Sequence, residues 1–136
     1  MARPSFTEAL ASRTWLLADG ATGTNYFQMG LESGDAPELW NFDHPERVRS
    51  LHRRFIEAGA DIILTNTFGG NRHRLKLHNG QDKVREVNMA AAANARAEAD
   101  AVDRPVYVGG SIGPTGEILE PVGALSYEDA VKAFEE

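Results

Sequence analysis

The stretch Glu57-Ala58-Gly59-Ala60-Asp61-Ile62-Ile63-Leu64-Thr65-Asn66-Thr67-Phe68-Gly69 decides how this chain folds. Its middle is apolar and β-branched with no polar alternation, the pattern of a strand buried on both faces. Gly59 suits a helix stop, and the run ends in hydroxyl, amide and glycine residues that suit a loop. A helix end, a buried strand and a polar strand end in this order point to a parallel repeat of strands and helices.

The same unit recurs on either side. Upstream, Val48, Leu51, Phe55 and Ala58 fall at helical spacing, with Pro45 in the first turn and Asp43 three residues before Glu46 as a capping box. Before a long loop rich in Gly, Pro and Asp, Trp15-Leu16-Leu17-Ala18 reads as a first strand running into Asp19-Gly20. Downstream, a second helix starts near Asp82 and carries Val84, Val87, Ala91, Ala95 and Ala99 on one face. Pro105-Val106-Tyr107-Val108 begins a third strand that leads into Gly109-Gly110-Ser111-Ile112-Gly113-Pro114. Ser126 with Asp129 predicts a last helix cap, followed by an apolar face of Tyr127, Ala130, Val131 and Phe134. The fold class is α/β, about three βα units over residues 1–136, as found in a doubly wound sheet or at the start of an eight-stranded barrel. Both place functional residues at the carboxyl ends of strands, here Asp19-Gly20, Thr65-Asn66-Thr67 and Gly110-Ser111. The last helix still runs at Phe134-Glu135-Glu136, which points to a chain truncated from a longer one, with uncovered edges that would self-associate.

Composition narrows the function. The chain has 136 residues, 42% hydrophobic and 25% charged, with a net charge of −6, so neither nucleic acid nor an anionic membrane is an expected partner. No apolar run approaches the roughly 20 residues of a membrane span. Glu8, Ser12 and Arg13 interrupt any signal-peptide core, and Glu8 disfavours a transit peptide, so a cytoplasmic protein is expected. There is no cysteine, hence no disulfide, thiolate metal site or cysteine nucleophile within these residues. His44 and His52 read as structural helix residues, and His73 and His78 lie on a basic, solvated segment from Arg72 to Lys76. No metal-binding histidine spacing is present.

Three stretches could carry chemistry. Asp19, beside Gly20, Ala21, Thr22 and Gly23, can accept from a ligand ammonium while nearby N–H groups meet a carboxylate; tying its own loop as an Asx turn is the equal alternative. Thr65, Asn66, Thr67 and Phe68 suit a small polar ligand against an apolar wall, or else complete the strand and core. The glycines from Gly109 to Gly116 lack the lysine of a P-loop and read as close backbone packing.

Leu17 to Thr24, Glu57 to Gly69 and Gly109 to Pro114, in this order and spacing and joined by Pro45 to Phe55 and Asn88 to Arg96, resemble the homocysteine S-methyltransferase family. That family includes betaine–homocysteine methyltransferases and the first module of cobalamin-dependent methionine synthase. The resemblance runs from about Trp15 to Glu136 and implies the N-terminal part of a (β/α)₈ TIM barrel. It implies Asp19 on the homocysteine ammonium, with the N–H groups of Gly20 and Ala21 and Thr65 near its carboxylate. Asn66, Thr67 and Phe68 would line the pocket, and Ser111 with Gly113 would form the rim. It further implies zinc, held by cysteines of later strands, and methyl transfer to sulfur from betaine, S-methylmethionine, or a methylated folate or cobalamin. No catalytic residue and no metal ligand maps onto this chain, which alone is expected to be inactive. The first two strand motifs look most like bacterial betaine-type enzymes. Gly69 stands where animal betaine-type enzymes have a ring that packs on the quaternary ammonium; Tyr26, Phe27, Trp40 and Phe42 are the rings that could compensate. Two other classes stay open: a non-catalytic fragment that binds an amino acid or associates through its edges, and another barrel enzyme with a phosphate-bearing substrate.

Overall fold

The computed structural model describes residues 3–136. In chain order its helices are α1 (Phe6–Ser12), α2 (Gly23–Gln28), α3 (Trp40–Asp43), α4 (Pro45–Glu57), α5 (Arg72–Lys76), α6 (Val84–Asp100) and α7 (Tyr127–Glu135). Short 3-10 turns lie at Pro37–Leu39 and Gln81–Lys83. Strands β1 (Ile62–Leu64) and β2 (Tyr107–Gly109) pair in parallel, Ile63 opposite Val108. On the other side of β1 the expected first strand shrinks to one parallel bridge, Ala18 to Ile62. Asp19 N–H donates to the Ile62 carbonyl at 2.9 Å, and the Leu17 carbonyl accepts from Ile62 at 3.0 Å and Asp61 at 2.7 Å. Trp15 and Leu17 are exposed, because this segment has no neighbour on its outer side to extend the ladder.

Helix α6 buries Val84, Val87, Ala91, Ala95 and Ala99, the face that the periodicity predicts. Its alanines let it lie close over β1, where Ile56, Ala60, Ile63, Ala95, Ala99 and Val106 make one core. The helix proper begins at Val84, and Asp82 lies in the turn before it. A second core forms where the sequence shows only a loop: Tyr26 and Trp40 bury with Leu31, Val48 and Leu51, their rings 5.4 Å apart. Burying these rings gives α2 and α3 their reason to form, against weak local propensity.

The caps were half legible. Ser126 accepts from Asp129 N–H, as its spacing predicts. Asp43 does not cap α4: His44 takes that position without a side-chain bond, and Pro45 at the first helical position has no N–H to satisfy. An unexpected capping box, Ser5 with Glu8, opens α1. On α7 the buried residue is Ala133, while Tyr127 and Phe134 are exposed. At the other end of the chain, Arg3 donates to the Val102 carbonyl at 2.7 Å. The Tyr107 hydroxyl donates to the Pro4 carbonyl at 2.9 Å, so α1 is pinned across the amino ends of the strands.

Two buried carboxylates tie these layers together. Asp61 accepts from Arg13 at 2.7 Å and from Leu17 N–H at 3.0 Å, fastening the Leu17 segment to the entry of β1. Glu98, 3% exposed, accepts from Arg49 at 2.7 Å and from Arg53 at 2.9 Å, clamping α4 to α6. Burial opposes both charges, but these partners hold both carboxyls below their usual range. His52, on the same stretch of α4, is 4% exposed and its Nε2 has no partner. Burial drives its imidazole down to about 4, against the pull of the Glu98 carboxylate.

Below pH 6.5 the unfolded chain protonates His52 while the folded one refuses the proton down to about 4, so stability falls as pH drops through that window. The loss is on the order of 3 kcal/mol for a full titration of this group. Urea unfolding at pH 7 and pH 4.5 should therefore show a steeper loss for the native sequence than for His52→Leu. Equal losses in the two proteins would assign the effect elsewhere.

Candidate functional site

Parallel pairing puts the ends of the Leu17 segment, β1 and β2 on one edge, so Asp19, Thr65 and Ser111 start three adjacent loops. Asp19 is half-buried, and its Oδ2 accepts from Leu64 N–H at 2.9 Å, while its Oδ1 accepts from no other residue among the described ones. Burial raises its carboxyl above the usual range, opposed by the Leu64 N–H and by its own backbone. Gly20 and Ala21 are exposed, and their N–H groups make no hydrogen bond among the described residues. A free carboxylate oxygen beside free N–H donors can take the two ends of an amino acid.

Behind β1 a ring of hydrogen bonds joins its end to that of β2. Ser111 N–H donates to Thr65 Oγ1 at 3.1 Å, and Thr67 Oγ1 donates to the Ser111 carbonyl at 2.7 Å. The two threonine oxygens lie 2.7 Å apart. Because the Thr67 proton is committed to Ser111, Thr65 is the donor between them. The buried Thr65 hydroxyl is thus engaged twice, as donor to Thr67 and as acceptor from Ser111.

Asn66 points away from this ring. Its amide donates to the Pro37 carbonyl at 2.7 Å, and its own carbonyl accepts from Asn41 at 2.9 Å. Thr67, Phe68, Ser111 and Gly113 share a cleft of about 190 Å³ with Ile112 and Phe134. Asp19, Gly20 and Ala21 stand outside that cleft, joined to it through Leu64 and Thr65. Phe68 is 58% exposed, a wall without a cover. The compensating rings divide: Tyr26 and Trp40 belong to the core, and Phe27 and Phe42 are exposed.

The glycines of the third loop behave as close packing predicts at Gly113, where any Cβ would overlap the Phe68 carbonyl. Gly110 has open space around its Cβ position, so closeness does not explain it. Sequence reasoning passed over Glu38 and Asn41, whose side chains hold the second loop from behind. Neither sits in a local pattern that could have marked it. Among the described residues no cluster of histidine, aspartate and glutamate could hold a metal ion, and the chain has no cysteine.

A family profile described as homocysteine S-methyltransferase matches residues 16–136. The chain belongs to the homocysteine S-methyltransferase family. Methionine synthase of Mycobacterium leprae is 36% identical over 138 aligned residues, covering 95% of this chain and 11% of that protein. Methionine synthase of Mycobacterium tuberculosis is 34% identical, covering 92% of this chain and 11% of that protein. This chain thus spans about a tenth of the length of these relatives. Among solved structures, the oxidised form of the homocysteine methyltransferase MmuM from Escherichia coli aligns with a TM-score of 0.67 at 24% identity, over 79% of this chain and 40% of that one. Its metallated form gives a TM-score of 0.67 at 23% identity, over 79% of this chain and 41% of that one. These likenesses concern the fold: an α/β arrangement with parallel strands, similar to part of a homocysteine methyltransferase. No helix is long and apolar enough to cross a membrane among the described residues.

Replacing Thr67 by Val removes the proton on the Ser111 carbonyl and leaves Thr65 without its acceptor. Two buried bonds at this site should cost about 2 kcal/mol in stability. Thermal unfolding measures this, and a loss within experimental scatter would show that the ring does not hold the strand ends.

Proposed function

We propose that this chain is the homocysteine-binding front of a methyltransferase, the first three βα units of a (β/α)₈ barrel. The observation that supports it most is the pairing of a free Asp19 oxygen with the free N–H groups of Gly20 and Ala21 at a strand's carboxyl end. Asp19 takes the ammonium of homocysteine as a charge-assisted hydrogen bond, and the two N–H groups take its carboxylate. Thr65 lies beside them, fixed by Thr67 and Ser111. Phe68 and Gly113 bound the space toward which the side chain extends, and Asn66 anchors the loop that carries Phe68. With both ends of the amino acid held, the sulfur is presented in one orientation to the methyl donor, betaine or a related small donor. The methyl group leaves the donor for the sulfur, the thiol proton is released, and methionine results.

The zinc implied by the family resemblance does not fit the residues of this chain. The chain has no cysteine and no side chains cluster as a ligand set among the described residues, so any such site would draw on residues beyond these 136. This chain's own part is binding and orientation.

In the full-length protein, Asp19→Asn should raise the KM for homocysteine by roughly 10- to 100-fold through loss of a charge-assisted bond. An unaltered KM would remove Asp19 from the site. The 136-residue chain by itself, supplied with zinc, homocysteine and betaine, should form no methionine by mass spectrometry; turnover would refute the division of labour proposed above.

A further inference from the structure

Glu38 lies in the Pro37–Leu39 turn of the first loop and is only 7% exposed. Its carboxylate is committed to a backbone group: Oε1 accepts from Gly69 N–H at 2.7 Å. A Cβ at Gly69 would stand 2.9 Å from Oε1 and 3.2 Å from Oε2. A side chain at position 69 would therefore push the Glu38 carboxylate from its place. The same segment grips Asn66 twice, through the Pro37 carbonyl and through Asn41. Thr67 and Phe68 are thus bracketed between two held residues, Asn66 and Gly69.

A further observation ties Glu38 to the wall that Phe68 forms. Phe68 is shared by the cleft that holds Ser111 and by a second, of about 170 Å³, that holds Glu38 and Gly69.

We propose that Glu38 is a positioning residue of the ligand site. It holds the Gly69 N–H so that the first loop and the end of β1 form one rigid wall carrying Phe68. Gly69 is the other half of the device, because its missing side chain leaves the volume that the carboxylate fills. The inference rests on the homocysteine reading for its effect on binding, and on geometry alone for the clamp.

The test measures amide exchange at Gly69 and the homocysteine Kd in the full-length protein, with variants E38Q, E38A, G69A and E38A/G69A. E38A should speed exchange at Gly69 and weaken homocysteine binding, each by roughly tenfold. E38Q keeps an oxygen acceptor and should stay within about threefold of the native protein. G69A should mimic E38A by pushing the carboxylate aside, and the double variant should be no worse than either single one. If E38A fails to fold, E38Q and G69A carry the same comparison. Unchanged exchange in the variants, additive losses, or fast exchange with native affinity would overturn the proposal. Absence of homocysteine binding in the native protein would instead sink the functional reading, and exchange at Gly69 would still decide whether the clamp exists.

Discussion

Parallel pairing of the Ala18 segment, β1 and β2 is the constraint that the rest of the molecule accommodates. Parallel neighbours cannot be joined by a tight turn, so each connection must travel the length of the strand and return. Helices α4 and α6 make those return journeys, and the Glu98 clamp locks them to each other. The same geometry collects the strand ends on one edge, which is why residues as distant as Asp19, Thr65 and Ser111 start neighbouring loops. The candidate groups need no further device to meet.

At that edge the polar groups divide by whether their hydrogen bonds are already committed. Thr65, Thr67 and Ser111 satisfy one another, and Asn66 satisfies Pro37 and Asn41. Among the described residues, the Asp19 Oδ1 and the N–H groups of Gly20 and Ala21 stay uncommitted. A self-satisfied second loop beside an uncommitted first loop is the arrangement that the proposed binding role requires. Preorganisation of this kind lowers the ordering cost that a small ligand would otherwise carry.

The parts of the fold legible in the sequence are those set by local pattern. The alanine face of α6, the β-branched run of β1 and the Ser126 cap follow from spacing alone. The first loop was opaque because α2 and α3 exist only through the burial of Tyr26 and Trp40 against residues of α4, a contact no local window contains. Asp43 and Glu46 had the right spacing for a box, yet Asp43 closes α3 and His44 takes the cap position, with Pro45 opening α4. Of the candidate site, the strand-end positions of Asp19 and the threonines could be read from the sequence. Glu38 could not, since its meaning depends on a glycine 31 residues away.

The anchoring of the first residues has a consequence for kinetics. The bond from Arg3 to Val102 closes a span of 99 residues, and that from Tyr107 to Pro4 a span of 103. Contacts of such sequence separation carry the largest loop-closure entropy and form after the local ones. Interactions absent from the transition state act on the rate of opening, with little influence on the rate of assembly. Arg3 and Pro4 therefore form a latch: chains lacking these bonds would reach the folded state as quickly and leave it sooner, a difference visible in the unfolding limb of a chevron plot.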